Sequence, residues 1–137
     1  MDIKVLLSEL EKLKLPNDKF AITSSGPLGI RKIREIIDLD IIVYPDLWNE
    51  LSKKYKVVKE NEFESIHIGN IQILGKGSWF TDPQFGDTIS NINNADIIEG
   101  YRWIQLNQVL EIKRHKTRPK DIEDVQLIER YLLENSK

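Results

Sequence analysis

The segment from Phe20 to Val43 carries the residue types and spacings on which chemistry can be built. Asp38 and Asp40 are separated by one residue in an apolar run. A strand through this run points both carboxylates to one face, roughly 7 Å apart along the chain. Two like charges on an apolar strand repel each other and resist burial. A divalent cation with oxygen ligands, Mg²⁺ or Mn²⁺, compensates both charges. For the pair alone, a solvated strand edge is the alternative interpretation.

A polar turn precedes this pair of carboxylates. Ser24, Ser25 and Gly26 follow a short β-prone run, and they offer hydroxyls and backbone N–H groups that suit phosphate oxygens. A short helix over 28–34 is expected to begin near this turn, and a helix N-terminus favours an anion. Arg31 and Arg34 lie on that helix, where each either reaches a phosphate or belongs to a solvated basic face. The polar turn, the basic residues that follow it and the paired acids together predict transfer of a phosphorus centre from a nucleotide.

The order of a strand, a Gly-Ser turn, a short helix and Asp-x-Asp on the next strand resembles the signature of the DNA polymerase β-like nucleotidyltransferase superfamily. The matching residues are Ser24-Ser25-Gly26 and Asp38-Leu39-Asp40. The longer segment SSGPLGIRKIREIIDLDIIV is similar to small stand-alone nucleotidyltransferases of bacteria and their phages. The resemblance implies that the turn holds the phosphates of a nucleoside triphosphate and that the two acids hold one or two Mg²⁺. Ser24 replaces the family's usual glycine, which has a steric cost where φ is positive.

A second point of resemblance lies at the entrance to the expected last helix, where a Lys is followed by Arg-x-Lys-Asp and a further Asp. Lys113, Arg118 and Lys120 occupy the basic positions. The resemblance implies that these three side chains face the triphosphate or form the rim of its pocket. Asp121 and Asp124 fall in the first turns of the helix, where acids interact favourably with the helix dipole. Capping and surface pairing are therefore the alternative interpretation of this segment.

One position departs from the superfamily in a way that bears on catalysis. The superfamily commonly has a third carboxylate on a strand after the Asp-x-Asp strand, and this sequence has Gln72 there. Glutamine orients a water or binds a base edge, but it cannot act as a general base or neutralise a metal charge. The replacement predicts weakened or absent catalysis, or an acid supplied from elsewhere. The candidates for such an acid are Glu60, Glu62, Glu64 and Asp82.

Three aromatic side chains lie in the glycine-containing loop that follows the strand of Gln72. They are Trp79, Phe80 and Phe85. An aromatic ring on a loop can stack on a nucleotide base. The alternative is that these rings cover the hydrophobic core.

Composition limits the class of protein. The 137 residues are 40% hydrophobic and 31% charged, with 20 Lys and Arg against 22 Asp and Glu. The net charge of −2 argues against an extended nucleic-acid-binding surface, although a local basic patch is compatible with it. Cysteine is absent, which excludes disulfides and thiolate metal sites. No apolar run approaches the ~18 residues that cross a membrane. We therefore expect a cytoplasmic protein without a membrane partner.

Hydrophobic periodicity predicts an α/β fold. Helices are expected over 2–15, 28–34, 46–55 and the C-terminal twenty residues, with strands at 20–23, 36–43 and in the middle of the chain. We expect a mixed twisted sheet of about five strands with helices mainly on one face. The whole chain, 1–137, is expected to form a single minimal nucleotidyltransferase-like domain.

These observations predict a Mg²⁺-dependent nucleotidyltransferase that moves a nucleoside monophosphate from a nucleoside triphosphate to an acceptor hydroxyl. The acceptor belongs to a protein, a small molecule or a nucleic acid. One alternative is a catalytically impaired nucleotide-binding or antitoxin-like interaction module, which Gln72 and Ser24 favour. The other is a nucleotide or nucleic-acid hydrolase on the same scaffold, in which water attacks.

Overall fold

The structure is a computed structural model and describes residues 2–136. Within this range, helices and strands alternate along most of the chain. The helices are α1 (Ile3–Glu11), α2 (Gly26–Ile30), α3 (Pro45–Lys54), α4 (Thr88–Asn93), α5 (Leu106–His115) and α6 (Pro119–Glu134). The strands are β1 (Phe20–Thr23), β2 (Leu39–Val43), β3 (Val58–Glu60), β4 (Phe63–Ile68), β5 (Ile71–Leu74), β6 (Asp96–Ile98) and β7 (Tyr101–Trp103).

The strands form one mixed sheet with β2 at its centre. Their order is β3-β4-β5-β2-β1-β7-β6. Strand β2 pairs antiparallel with β1 and parallel with β5, so that Asp40 lies between Thr23 on one side and Gln72 on the other. The side chains of residues paired in this way project from the same face of the sheet. The sheet therefore brings polar residues from three strands into one row.

The α/β class is confirmed, while the strand number and the helix arrangement differ from the sequence-based expectation. The sheet has seven strands rather than five, because the three-residue strands β3, β6 and β7 also join it by backbone pairing. The helices cover both faces of the sheet rather than mainly one. On β2, Leu39 and Ile41 pack with α1 and α3, whereas Ile42 faces the other way and packs with α4, α5 and α6.

Local backbone geometry sets element ends that differ from the expected ones near the site. Helix α2 covers Gly26–Ile30 instead of 28–34, and the chain leaves helical geometry at Lys32, whose φ is +59°. Strand β2 begins at Leu39, so Asp38 directly precedes the strand instead of lying within it. Among the described residues, no helix is both long and apolar enough to cross a membrane.

Candidate functional site

A cavity of about 480 Å³ opens where β1 ends and β2 begins. Its walls are the turn after β1, the start of β2, strand β5 with the loop that follows it, and the segment that joins α5 to α6. Eight of the ten residues predicted for the site line this cavity. They are Ser24, Ser25, Arg34, Asp38, Asp40, Lys113, Arg118 and Lys120.

The other two predicted site residues lie elsewhere. The Arg31 guanidinium donates to the Pro27 carbonyl at 3.0 Å and to the Asp96 carboxylate at 2.9 Å, and it lines a separate cavity. Its position therefore corrects the prediction that Arg31 reaches a phosphate at this site. Gly26 is buried, and a Cβ atom there would lie 2.3 Å from the Ile22 side chain. Gly26 is thus required for close packing of α2 on β1, and it does not line the cavity.

Ser24 adopts a strained backbone conformation that glycine adopts at no steric cost. Its φ is +58°, in the left-handed region that is uncommon for residues other than glycine. Its hydroxyl lies near the Asp40 carboxyl group and lowers the pKa of that group. Serine therefore tolerates the turn and adds a contact that glycine cannot make.

Asp40 is the most perturbed acid of the site. Burial raises its pKa, and the neighbouring charge of Asp38 raises it further, to about 6. The Ser24 hydroxyl and the charges of Lys113 and Lys116 lower the pKa but do not outweigh burial. The Asp40 Oδ1 atom is buried and has no hydrogen-bond partner among residues 2–136. An ionised Asp40 is therefore poorly compensated by the protein.

Asp38 and Asp40 have the chemistry of ligands for a hard divalent cation. Both are carboxylates that line one cavity, and the buried Oδ1 atom of Asp40 lacks a donor in the described part of the chain. A cation bound there would relieve the repulsion that contributes to the raised pKa of Asp40. Within residues 2–136, no group of three or more His, Cys, Asp or Glu side chains is placed to hold a metal. Mg²⁺ in proteins commonly takes one or two carboxylates and completes its shell with water and substrate phosphates.

Gln72 occupies the position beside the acid pair. It is the register partner of Asp40 on β5 and lines the same cavity. An amide, rather than a carboxylate, thus stands next to Asp40. The four acids considered as substitutes do not line this cavity; Glu62, Glu64 and Asp82 line an adjacent cavity of about 740 Å³ on the other side of Gly77 and Ser78.

Two buried carboxylates, Asp121 and Asp124, form ion pairs with cations that line the cavity. Asp124 is 1% exposed and accepts hydrogen bonds from Arg34 Nε at 2.7 Å and Arg34 Nη2 at 2.9 Å. The Lys113 Nζ atom lies 3.0 Å from the same carboxylate. Asp121 is fully buried and accepts from Arg118 Nε at 2.7 Å. These acids are interior ion-pair partners, so capping and surface pairing were the wrong interpretation of both.

The ion pairs keep both carboxylates ionised despite burial. Burial by itself raises the pKa of Asp124, but the hydrogen bond from Arg34 and the charge of Lys113 outweigh it and bring the pKa below the ordinary value. Burial likewise raises the pKa of Asp121, and the hydrogen bond from Arg118 with the charges of Lys116 and Lys113 lowers it overall. Arg34, Lys113 and Arg118 are therefore held by buried acids, whereas Lys120 is an exposed side chain of the same cavity.

Lys116 also lines the cavity and was missed as a site residue in the sequence. Its Nζ atom lies 3.9 Å from the Asp121 carboxylate and 5.1 Å from the centre of the Phe80 ring. Burial lowers its pKa to about 8, although the charge of Asp121 acts in the opposite direction. Its place in the sequence between Lys113 and Arg118, two basic residues predicted for the site, was the available signal.

The residues that line the cavity thus combine two carboxylates with a group of cationic side chains, which we call the basic wall. The cations are Arg34, Lys113, Lys116, Arg118 and Lys120. Cations bind phosphate oxygens through charge-assisted hydrogen bonds, and a carboxylate pair binds a divalent cation. A polyphosphate with an associated divalent cation suits both groups, because the phosphates pair with the basic side chains and the cation pairs with the carboxylates.

No protein-family model matches the sequence, and no match was found among curated proteins. A solved structure does resemble it: the crystal structure of ANT(2")-Ia in complex with adenylyl-2"-tobramycin. The likeness covers 95% of this chain and 87% of that chain, with a TM-score of 0.53 and 15% sequence identity. At this identity the likeness concerns the fold alone. The chain therefore has a nucleotidyltransferase-like α/β fold.

Proposed function

We propose that this protein is a nucleotidyltransferase that moves a nucleoside monophosphate from a nucleoside triphosphate to an acceptor hydroxyl. One observation carries the proposal: Asp38 and Asp40 share a single cavity with the serine turn and the basic wall, on a nucleotidyltransferase-like fold. The bound compound of the structural neighbour carries an adenylyl group, which supports a nucleotide as the donor. The acceptor is a protein, a small molecule or a nucleic acid.

The residues of the cavity have distinct roles in this proposal. Ser24 and Ser25 bind phosphate oxygens through the turn after β1. Arg34, Lys113 and Lys116 neutralise the charge of the triphosphate, as do Arg118 and Lys120 at the same wall. These contacts orient the α-phosphorus towards the acceptor oxygen. That oxygen forms the new P–O bond and gives its proton to solvent, while the bond from the α-phosphorus to the α–β bridging oxygen breaks and pyrophosphate leaves.

The proposed cofactor is Mg²⁺ or Mn²⁺, held by Asp38 and Asp40 through their carboxylate oxygens. When bound, it would polarise the α-phosphate and stabilise the negative charge of departing pyrophosphate. The fixed cations of the basic wall contribute to the same stabilisation without reorganisation, because their partners Asp121 and Asp124 hold them in place.

A second candidate function is a catalytically impaired nucleotide-binding or interaction module. The position of Gln72 favours it, because the register partner of Asp40 is an amide that cannot accept the proton of an attacking hydroxyl. Hydrolysis, with water as the acceptor, is the remaining alternative. All three functions use the same nucleotide site, and they differ in the fate of the bound nucleotide.

Nucleotide transfer tests the proposal directly. The protein is incubated with each α-labelled nucleoside triphosphate and Mg²⁺ or Mn²⁺, together with protein, RNA, DNA or small-metabolite acceptor fractions. We expect pyrophosphate release with transfer of the label, and loss of both in Asp38→Asn and Asp40→Asn. Asp96→Asn is the matched control, since this carboxylate binds Arg31 outside the cavity.

The outcome of this experiment separates the three functions. Label transfer that depends on both cavity acids supports the transferase. Nucleotide binding without turnover in any acceptor fraction favours the impaired module. Release of free nucleoside monophosphate without an acceptor indicates a hydrolase. Equal turnover in the wild type and Asp40→Asn would contradict the proposed site.

A further inference from the structure

The loop after β5 separates its two neighbouring aromatic residues into different environments. Phe80 also lines the cavity, but it is only 6% exposed and packs in the hydrophobic core, with Lys113 and Lys116 over its ring. Trp79 is 40% exposed and lines the cavity that holds the carboxylate pair. A large indole with this much exposed surface gains from being covered by another flat apolar group.

The backbone that carries Trp79 is fixed on both sides. The Phe80 N–H donates to Ser78 Oγ at 3.1 Å, and the Thr81 hydroxyl donates to the Gly75 carbonyl at 2.8 Å. Gly77 has φ of +93°, and a Cβ there would lie 2.3 Å from the Glu62 carbonyl oxygen. These constraints hold the loop against β4, so the indole is presented to the cavity from a rigid turn.

One edge of the indole is already supported by another ring. The ring centres of Trp79 and Phe85 are 6.2 Å apart at an interplanar angle of 42°, a tilted contact that leaves part of the indole free. Phe63 is a further aromatic side chain that lines the same cavity as the charged groups. The cavity thus has a charged part suited to phosphates and an aromatic part suited to a flat heterocycle.

We propose that the Trp79 indole is the surface on which the heterocyclic base of the nucleotide stacks while its polyphosphate contacts the basic wall. This inference rests on the proposed nucleotide site and adds the residue that binds the base. Stacking tolerates different bases, because every base presents an aromatic face. We therefore expect purine and pyrimidine triphosphates to bind with affinities that differ much less than the effect of removing the indole.

Inorganic tripolyphosphate is the probe that separates the base from the phosphates. The basic wall binds it in the wild type and in Trp79→Ala alike, because it has no base. A nucleoside triphosphate should bind Trp79→Ala roughly 5- to 150-fold more weakly than it binds the wild type. Trp79→Phe keeps an aromatic face and should restore most of the affinity. Calorimetry with both ligands measures each constant in the presence of Mg²⁺.

Tryptophan fluorescence supplies a readout that needs no substitution. Of the three tryptophans, Trp103 is fully buried and Trp48 packs against Gly75, whereas Trp79 faces the cavity. Nucleoside triphosphate should quench the wild-type emission, and tripolyphosphate should leave it nearly unchanged. Trp48→Phe is the matched control, because Trp48 does not line the cavity, and we expect it to preserve both the quenching and the affinity.

The results distinguish this inference from the proposed function. If the wild type binds nucleotide no more tightly than tripolyphosphate, or if Trp79→Ala leaves nucleotide affinity unchanged, the stacking inference is overturned and the phosphate site stands. A selective loss in Phe63→Leu with none in Trp79→Ala overturns it as well. If neither ligand binds the wild type, both proposals fail. If Trp79→Ala selectively loses nucleotide affinity but no assay shows label transfer, stacking is supported and the transferase proposal fails.

Discussion

Asp124 binds Arg34 through two guanidinium nitrogens, at 2.7 and 2.9 Å, although the two residues are 90 positions apart in the chain. The contact joins the segment before β2 to helix α6. Because Asp124 also contacts Lys113 at 3.0 Å, one buried carboxylate positions two cations of the cavity wall. Because this network is buried, we expect both the shape of the site and the stability of the fold to depend on it.

Replacing Asp124 by Asn should therefore destabilise the protein strongly. The substitution preserves shape but leaves the nearly buried Lys113 ammonium without its closest anionic partner. Removing one member of a buried pair typically costs about 3–5 kcal/mol. Urea unfolding measures the change. Glu129→Gln is the control, because the exposed Arg114–Glu129 pair should contribute no more than about 1 kcal/mol. Equal effects of the two substitutions would contradict a structural role for Asp124.

The pKa of Asp40 predicts a pH-dependent effect of Asp40→Asn on stability. The folded pKa of about 6 exceeds the ordinary value of 3.8, so the folded state binds more protons in this interval and stability falls as pH rises through it. The asparagine side chain cannot ionise, so the variant should be more stable than the wild type above pH 6, by up to about 3 kcal/mol. The difference should vanish below pH 3.8.

Thermal unfolding at several pH values measures this difference, and added Mg²⁺ extends the test. A cation that binds both carboxylates should stabilise the wild type above pH 6 and should have little effect on Asp40→Asn. If Asp40→Asn were stabilised equally at every pH, ionisation of Asp40 would not be the cause of the lower stability of the wild type.

Gln72→Glu should strengthen divalent cation binding. The new carboxylate would stand beside Asp40 in the register of β2 and β5, and three acids attract a cation more strongly than two. Without a cation, the same substitution should lower stability, since a further negative charge is added beside a buried acid. Mn²⁺ titration followed by electron paramagnetic resonance measures the affinity. Gln72→Met, similar in size and uncharged, should bind Mn²⁺ like the wild type; tighter binding by that variant would exclude the charge explanation.

Lys116 should make polyphosphate binding sensitive to pH. Its pKa of about 8 means that the ammonium loses its proton as pH rises through that value, and the attraction to phosphate is lost with it. Affinity for tripolyphosphate should fall by about tenfold across this range. Lys116→Arg remains charged and should bind with little pH dependence. An equal decline in the arginine variant would assign the pH dependence to another group.

Local patterns were sufficient for the elements and for much of the site. Alternating apolar residues predicted β2, because this signal involves residues that are near in the chain. The Asp-x-Asp spacing placed Asp38 and Asp40 together for the same reason. The alternation of predicted helices and strands also led to the α/β class. The strand count was less accurate, because β3, β6 and β7 have only three residues each, too few for a clear alternating pattern.

The amino-acid sequence by itself identified the residues that we propose form the site: the serine turn, the acid pair, the basic positions before α6 and the amide at position 72. Only the tertiary structure decided that Arg31 binds Asp96 away from the site and that Asp121 and Asp124 are buried ion-pair partners. It also decided that, of the two neighbouring rings that line the cavity, Trp79 is exposed and Phe80 is buried in the core. Residue type and spacing report local geometry. Burial and ion-pair partners depend on segments as far apart as Arg34 and Asp124, and only folding brings those segments into contact.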